Sequence, residues 1–117
     1  MRQLALLILA TIMLGVMMFS GVALAKNIMG PFGPDRLIGT AKVDEIYGLG
    51  GNDKVLGNGG NDRIDGGFGS DSLFGGAGND VISAADRYED HINCGSGIDT
   101  VYIDEFDIIS KNCEPAP

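Results

Sequence analysis

Asp stands at positions 35, 44, 53, 62, 71 and 80, nine residues apart each time. Carboxylates are oxygen ligands for hard divalent cations, so a strictly spaced set of them can line up a row of metal sites. Two positions after each Asp comes an aliphatic residue: Leu37, Ile46, Val55, Ile64, Leu73 and Ile82. In the best copies Gly stands two and five residues before the Asp, as in Gly48-Leu49-Gly50-Gly51-Asn52-Asp53-Lys54-Val55-Leu56. A flexible Gly-rich linker needs no such phase, and turn formation by Asp alone would not keep it.

The elements that must position these carboxylates follow from the frame Gly-Gly-x-Gly-x-Asp-x-aliphatic-x. The first six residues read as a tight loop, in which Gly permits backbone conformations closed to other residues. The last three read as a minimal strand whose central side chain turns inward. Two such repeats make a coil of 18 residues with a strand on each side, and coils stack about 4.8 Å apart. Stacking puts Asp35, Asp53 and Asp71 in one column and Asp44, Asp62 and Asp80 in another. Carboxylates that close repel by roughly 1 kcal/mol in water, and by more where water is excluded. A cation between rungs reverses the sign. Calcium suits such a gap, because it accepts 6–8 oxygens at roughly 2.3–2.6 Å in flexible geometry. Magnesium fits poorly, since it demands a tight octahedron and keeps its waters.

Period, Gly positions, Asp and aliphatic position together resemble the RTX, or haemolysin-type, calcium-binding nonapeptide repeat family. The resemblance spans residues 30–83 firmly and 84–113 loosely. It implies an all-β parallel β-roll, a right-handed β-helix-like solenoid, with each ion between the loops of repeats n and n+2. The metal residues carried over are Asp35, Asp44, Asp53, Asp62, Asp71 and Asp80. With them go Gly48, Gly50, Gly57, Gly59, Gly66 and Gly75, whose loops can turn carbonyl oxygens inward. Asp53 with Asp71 and Asp62 with Asp80 form the strongest pairs. Lys42 replaces a loop Gly before Asp44, and Pro31 and Pro34 flank the loop before Asp35, so those copies depart from the pattern. The stretch Cys94–Glu114 resembles the end of small secreted bacterial proteins of this type, with the Cys pair closing a C-terminal cap.

The chain is 117 residues long and divides into four expected parts. Residues 1–25 are Arg2 followed by an apolar run ending in Ala23-Leu24-Ala25, which reads as a cleavable signal peptide. Uncleaved, the run is long enough to approach a membrane span. Residues 26–38 read as an N-terminal cap with the first degenerate repeat, 39–83 as the calcium-binding repeats, and 84–117 as degenerate repeats and the cap. Export implies a secreted or cell-surface location and an oxidising compartment, where Cys94 and Cys113 are expected to pair. The alternative, two thiolate metal ligands, finds no Cys or His cluster to complete it. The pair would close a loop of about 20 residues, worth roughly 3 kcal/mol.

Sixteen acidic residues against eight basic ones argue against nucleic acid or anionic lipid as partner. With one aliphatic per repeat the core is thin, so folding is expected to depend on the metal. Strand position nine carries an apolar stripe, Ile38, Leu56 and Phe74, which the tail is expected to cover unless it docks a protein or cell surface. After Ser83 the spacing slips by one, although Asp90-His91-Ile92 and Asp99-Thr100-Val101 keep Asp-x-aliphatic. The sequence "TVYIDEFDIISKNCE" suggests one or two longer strands. Asp86, Glu89, Asp104, Glu105 and Asp107 read as solvated surface, and Asp99 as a contributor to a terminal site. His91 has no Ser or Cys partner pattern near it, so no catalysis is expected.

Overall fold

The computed structural model describes residues 26–115, and the expected signal peptide lies outside them. Among the described residues every regular element is a short strand. They are β1 (Lys26–Met29), β2 (Arg36–Ile38), β3 (Asp44–Tyr47), β4 (Lys54–Leu56), β5 (Arg63–Asp65) and β6 (Ser72–Phe74). There follow β7 (Val81–Ser83), β8 (His91–Asn93), β9 (Thr100–Tyr102), β10 (Ile108–Ile109) and β11 (Glu114–Pro115). None of the described elements is a helix able to cross a membrane.

Strands alternate between two parallel sheets. One runs β1-β3-β5-β7-β9-β11 and the other β2-β4-β6-β8-β10, so the chain winds into a β-solenoid of about 5 turns. Each strand pairs with the one a full coil later: Val55 faces Leu73 and Ile64 faces Ile82, both 18 residues apart. Three-residue strands leave one inward side chain each, and that is the aliphatic position. Val55, Ile64, Leu73 and Ile82 are fully buried, Ile46 likewise, and Leu37 is nearly so. The two expected stacks form one core, lengthened by Ile92 and Val101 and flanked by Ile28, Ile103 and Ile109.

Both ends extend the sheets. β1 lies on β3 with Ile28 facing Ile46, which adds a rung ahead of the first repeat. Beyond Ser83 the coil continues: β8 pairs with β6 and β9 with β7, each 19 residues on. The tail departs from expectation in two ways. "TVYIDEFDIISKNCE" gives no long strand, because the turn at Asp104–Asp107 splits it into β9 and β10. Nor does the tail cover the stripe. β10 continues the sheet below β8, where its backbone groups find ladder partners, and so it cannot lie across the outer face. Ile38 is exposed, and Leu56 and Phe74 are half-buried, with Lys54 Nζ 5.8 Å from the Phe74 ring centre. A disulfide joins the buried Cys94 and Cys113, tying the last coil near the C-terminus.

Candidate metal centre

The loops fall at the two edges of the roll, and their Asp side chains turn inward. Asp53, Asp62, Asp71 and Asp80 expose no more than 3% of their surface. Each carboxylate is gripped by the preceding coil. The Asp53 N–H donates to Asp71 Oδ1 at 2.8 Å, and the Asp62 N–H to Asp80 Oδ1 at 2.8 Å. Asp35 N–H donates to Asp53 Oδ1 and Asp44 N–H to Asp62 Oδ1, both at 2.9 Å. The two pairs expected to matter most therefore sit on adjacent rungs.

Only half of each carboxylate is satisfied. The Oδ2 atoms of Asp35, Asp53, Asp62, Asp71 and Asp80 are buried without a hydrogen-bond partner, as are those of Asp90 and Asp99. A buried acceptor left unpaired costs about 1–3 kcal/mol, and more when charged. The orphan oxygens of Asp35, Asp53, Asp62, Asp71 and Asp80 lie against bare α-carbons. A Cβ on Gly48 would lie 2.6 Å from Asp53 Oδ2 and 2.4 Å from the Gly66 carbonyl oxygen. A Cβ on Gly57 would lie 2.7 Å from Asp62 Oδ2 and 2.5 Å from the Gly75 carbonyl oxygen. Gly66 and Gly75 stand in the same relation to Asp71 and Asp80. The carboxylate and a carbonyl of the next coil thus pack so close to these α-carbons that no side chain fits there, and the unpartnered Oδ2 beside them is an oxygen donor of the kind a hard cation takes.

Gly50 and Gly59, expected to offer loop carbonyls like the others, are not packed against a carboxylate. The absent Cβ of Gly50 makes room for the Phe32 ring, and that of Gly59 meets nothing nearer than 3.4 Å. The special backbone lies beside them: in loop 57–62 the left-handed residues are Asn58 (φ 68°) and Gly60 (φ 82°). Asp44 also differs from the other carboxylates. Thr40, at the place of a loop Gly, donates its N–H to Asp44 Oδ2 at 2.6 Å and its hydroxyl to Oδ1 at 2.9 Å. That carboxylate is already occupied, in keeping with a weaker copy of the pattern.

Burial raises the carboxyl pKa values, with backbone N–H donors opposing and neighbouring carboxylates adding to the rise. Asp71 is pushed up to about 8, Asp80 and Asp90 to about 7, and Asp62 to about 6. Asp53 and Asp107 are raised for the same leading reason.

Beyond the six in-phase Asp, the degenerate copies noted in the sequence supply further carboxylates, Asp99 among them as expected of a terminal site. Asp90 and Asp99 are buried members of the columns: Asp71 N–H donates to Asp90 Oδ1 at 2.6 Å and Asp80 N–H to Asp99 Oδ1 at 2.7 Å. The signal was present, since Asp-x-aliphatic resumes at nine-residue spacing after one extra residue. Asp86, Asp104 and Asp107 are half-buried rather than solvated. Asp107 Oδ1 accepts the Asp90 N–H at 3.1 Å, and Asp104 Oδ2 the Arg87 N–H at 2.6 Å, so these acids order the last loops. Asn52, Asn61 and Asn79, just before the Asp, take N–H bonds from Ser70, Asn79 and Ile98 one coil on, a second ladder also missed. Glu89 and His91 are exposed and lie 3.1 Å apart.

A family model for the RTX calcium-binding nonapeptide repeat matches residues 32–64 and 56–86, in four copies. Residues 32–86 are RTX repeats. No curated protein and no solved structure matched the chain. RTX repeats bind Ca2+, and the buried carboxylates of this roll offer oxygens suited to that ion. In RTX terms the position-six Asp carries the orphan Oδ2, and the first Gly of the repeat lets the chain pass close beside it.

Proposed function

We propose that this chain is a secreted calcium-binding β-roll whose folding is coupled to the ion. The observation that carries the reading is the row of buried Oδ2 atoms without partners, which in Asp35, Asp53, Asp62, Asp71 and Asp80 lie beside the first Gly of the repeat. An isolated buried anion is unfavourable, and a divalent cation shared between rungs balances two of them at once. Asp53 with Asp71 and Asp62 with Asp80 would hold the principal ions, with loop carbonyls of Gly48, Gly50, Gly57, Gly59, Gly66 and Gly75 as further oxygens. Asp35 and Asp44 would hold weaker ones. The expected signal peptide at 1–25 and the Cys94–Cys113 disulfide both support export into an oxidising medium.

The test is a calorimetric titration of the chain with calcium at two pH values. Carboxyls with raised pKa leave the ion-free fold most stable below about pH 4, where folded and unfolded forms are both protonated. That stability is lost as pH rises through the folded values of about 6 to 8. Calcium needs the ionised form, so binding should displace protons and be markedly weaker at pH 5.5 than at pH 8. Equal affinity with no proton release would remove the buried carboxylates from the binding step.

A second reading gives the metal a stapling role only and makes the outer face the working surface. It is favoured by the open stripe of Ile38, Leu56 and Phe74, which no part of the described tail covers. Replacing all three by Ser is expected to abolish capture of a protein or cell-surface partner while leaving calcium uptake unchanged. Capture that survives the triple replacement would remove the motive for this reading.

A further inference from the structure

The extra residue that breaks the nine-residue spacing lies in loop 84–90. It brings a third acid to the column edge. One carboxylate oxygen each from Asp71, Asp86 and Asp90 lies within 4.8 Å of the other two. Asp71 and Asp90 expose 1% and 0% of their surface, and Asp86 is half-buried. The Oδ2 atoms of all three are buried and without hydrogen-bond partners.

Their other oxygens are each held by an amide. Asp71 Oδ1 takes the Asp53 N–H at 2.8 Å, Asp90 Oδ1 the Asp71 N–H at 2.6 Å, and Asp86 Oδ1 the Tyr88 N–H at 2.9 Å. Three anchored carboxylates therefore converge, each with one oxygen left unpaired. Among the described residues no Lys or Arg forms an ion pair with any of them. Among the described residues no basic side chain balances the cluster, and like charges that close repel strongly where water is excluded.

We propose that Asp71, Asp86 and Asp90 form a distinct divalent-cation site, built from three carboxylates where a regular inter-rung site has two. It rests on the calcium reading above but adds a ligand from outside the nonapeptide frame. Calcium affinity climbs with the number of charged ligands and the rigidity of the site, so this site fills first. It would order the junction between the regular repeats and the disulfide-tied end.

The test is calorimetric calcium titration of the full chain with its disulfide intact, comparing wild type with Asp86→Asn and Asp86→Glu. Wild type is expected to show a tight phase of about one ion ahead of the weaker ones. Asp86→Asn should weaken that phase by about tenfold or more and leave the weaker phases in place. Asp86→Glu, which keeps the charge on a longer arm, should recover part of the loss. An Asp86→Asn titration that overlays wild type overturns the proposal, while the persisting calcium heat leaves the general reading intact. No calcium heat in wild type sinks both. If both variants stay unfolded at saturating calcium by circular dichroism, Asp86 serves the fold and not an ion, which also overturns it.

Discussion

In chelator the chain is expected to give the circular dichroism of a coil, and in calcium at about 10⁻⁴–10⁻³ M that of a β-protein. Each repeat buries one aliphatic side chain while nine residues are ordered, and that alone falls well short of offsetting the lost conformational freedom. The same fold draws Asp53, Asp62, Asp71 and Asp80 out of water with one oxygen each unpaired. Without the ion, acids stack rung upon rung within each column in a medium that barely screens them. With it, the same columns become the strongest tie between coils. Since each coil touches only its neighbours, the transition should be cooperative along the roll, and steeper than independent sites would give. The disulfide restrains only residues 94–113 and cannot order the regular repeats. A complete β spectrum in chelator would refute the coupling of ion and fold.

The second large effect is expected from a single methyl group. Gly57→Ala puts a Cβ 2.7 Å from Asp62 Oδ2, 2.5 Å from the Gly75 carbonyl oxygen and 3.2 Å from the Ile64 side chain. The first two contacts lie inside van der Waals distance and one is with backbone, so the loop must move or the carboxylate must turn. Overpacking of this kind typically costs about 1–3 kcal/mol. Here it also displaces the Asp62 carboxylate or the Gly75 carbonyl, so calcium affinity should fall together with stability. Gly59→Ala, two residues on, meets only ordinary contacts and should change either quantity little, within about 0.5 kcal/mol. Calcium titrations followed by circular dichroism would separate the two. Equal behaviour of the pair would mean that close packing at the first Gly does not set the position of the ligand oxygens.

The coil, its 18-residue period and its inward stacks were legible because three signals coincide at every step: loop Gly, Asp and an aliphatic two residues later. Asp53 over Asp71 and Asp62 over Asp80 follow from that period alone. The roles of particular glycines were not legible. Gly57 and Gly59 look alike in sequence, and only the path of the neighbouring coil decides which one a Cβ would block. The closure of Asp44 by Thr40 is a matter of local rotamers that spacing does not encode. Asp86 looked like solvated surface because the extra residue hides its phase, and its burial depends on the loop beneath it. The tail misled for another reason. Its alternating pattern suits a long strand, but Asp104 and Asp107 bond to nearby amides and turn the chain first.

Register in this molecule is kept strand to strand rather than residue by residue. Leu73 meets Ile92 and Ile82 meets Val101 as squarely as Val55 meets Leu73, although the intervening chain is one residue longer. The surplus is absorbed at a corner and never reaches the ladder. A gain or loss of one residue inside a strand triplet would instead turn its aliphatic outward. Corners are accordingly where this architecture can accept insertions and deletions over evolutionary time, and where new side chains can be tried without disturbing the stack beneath them.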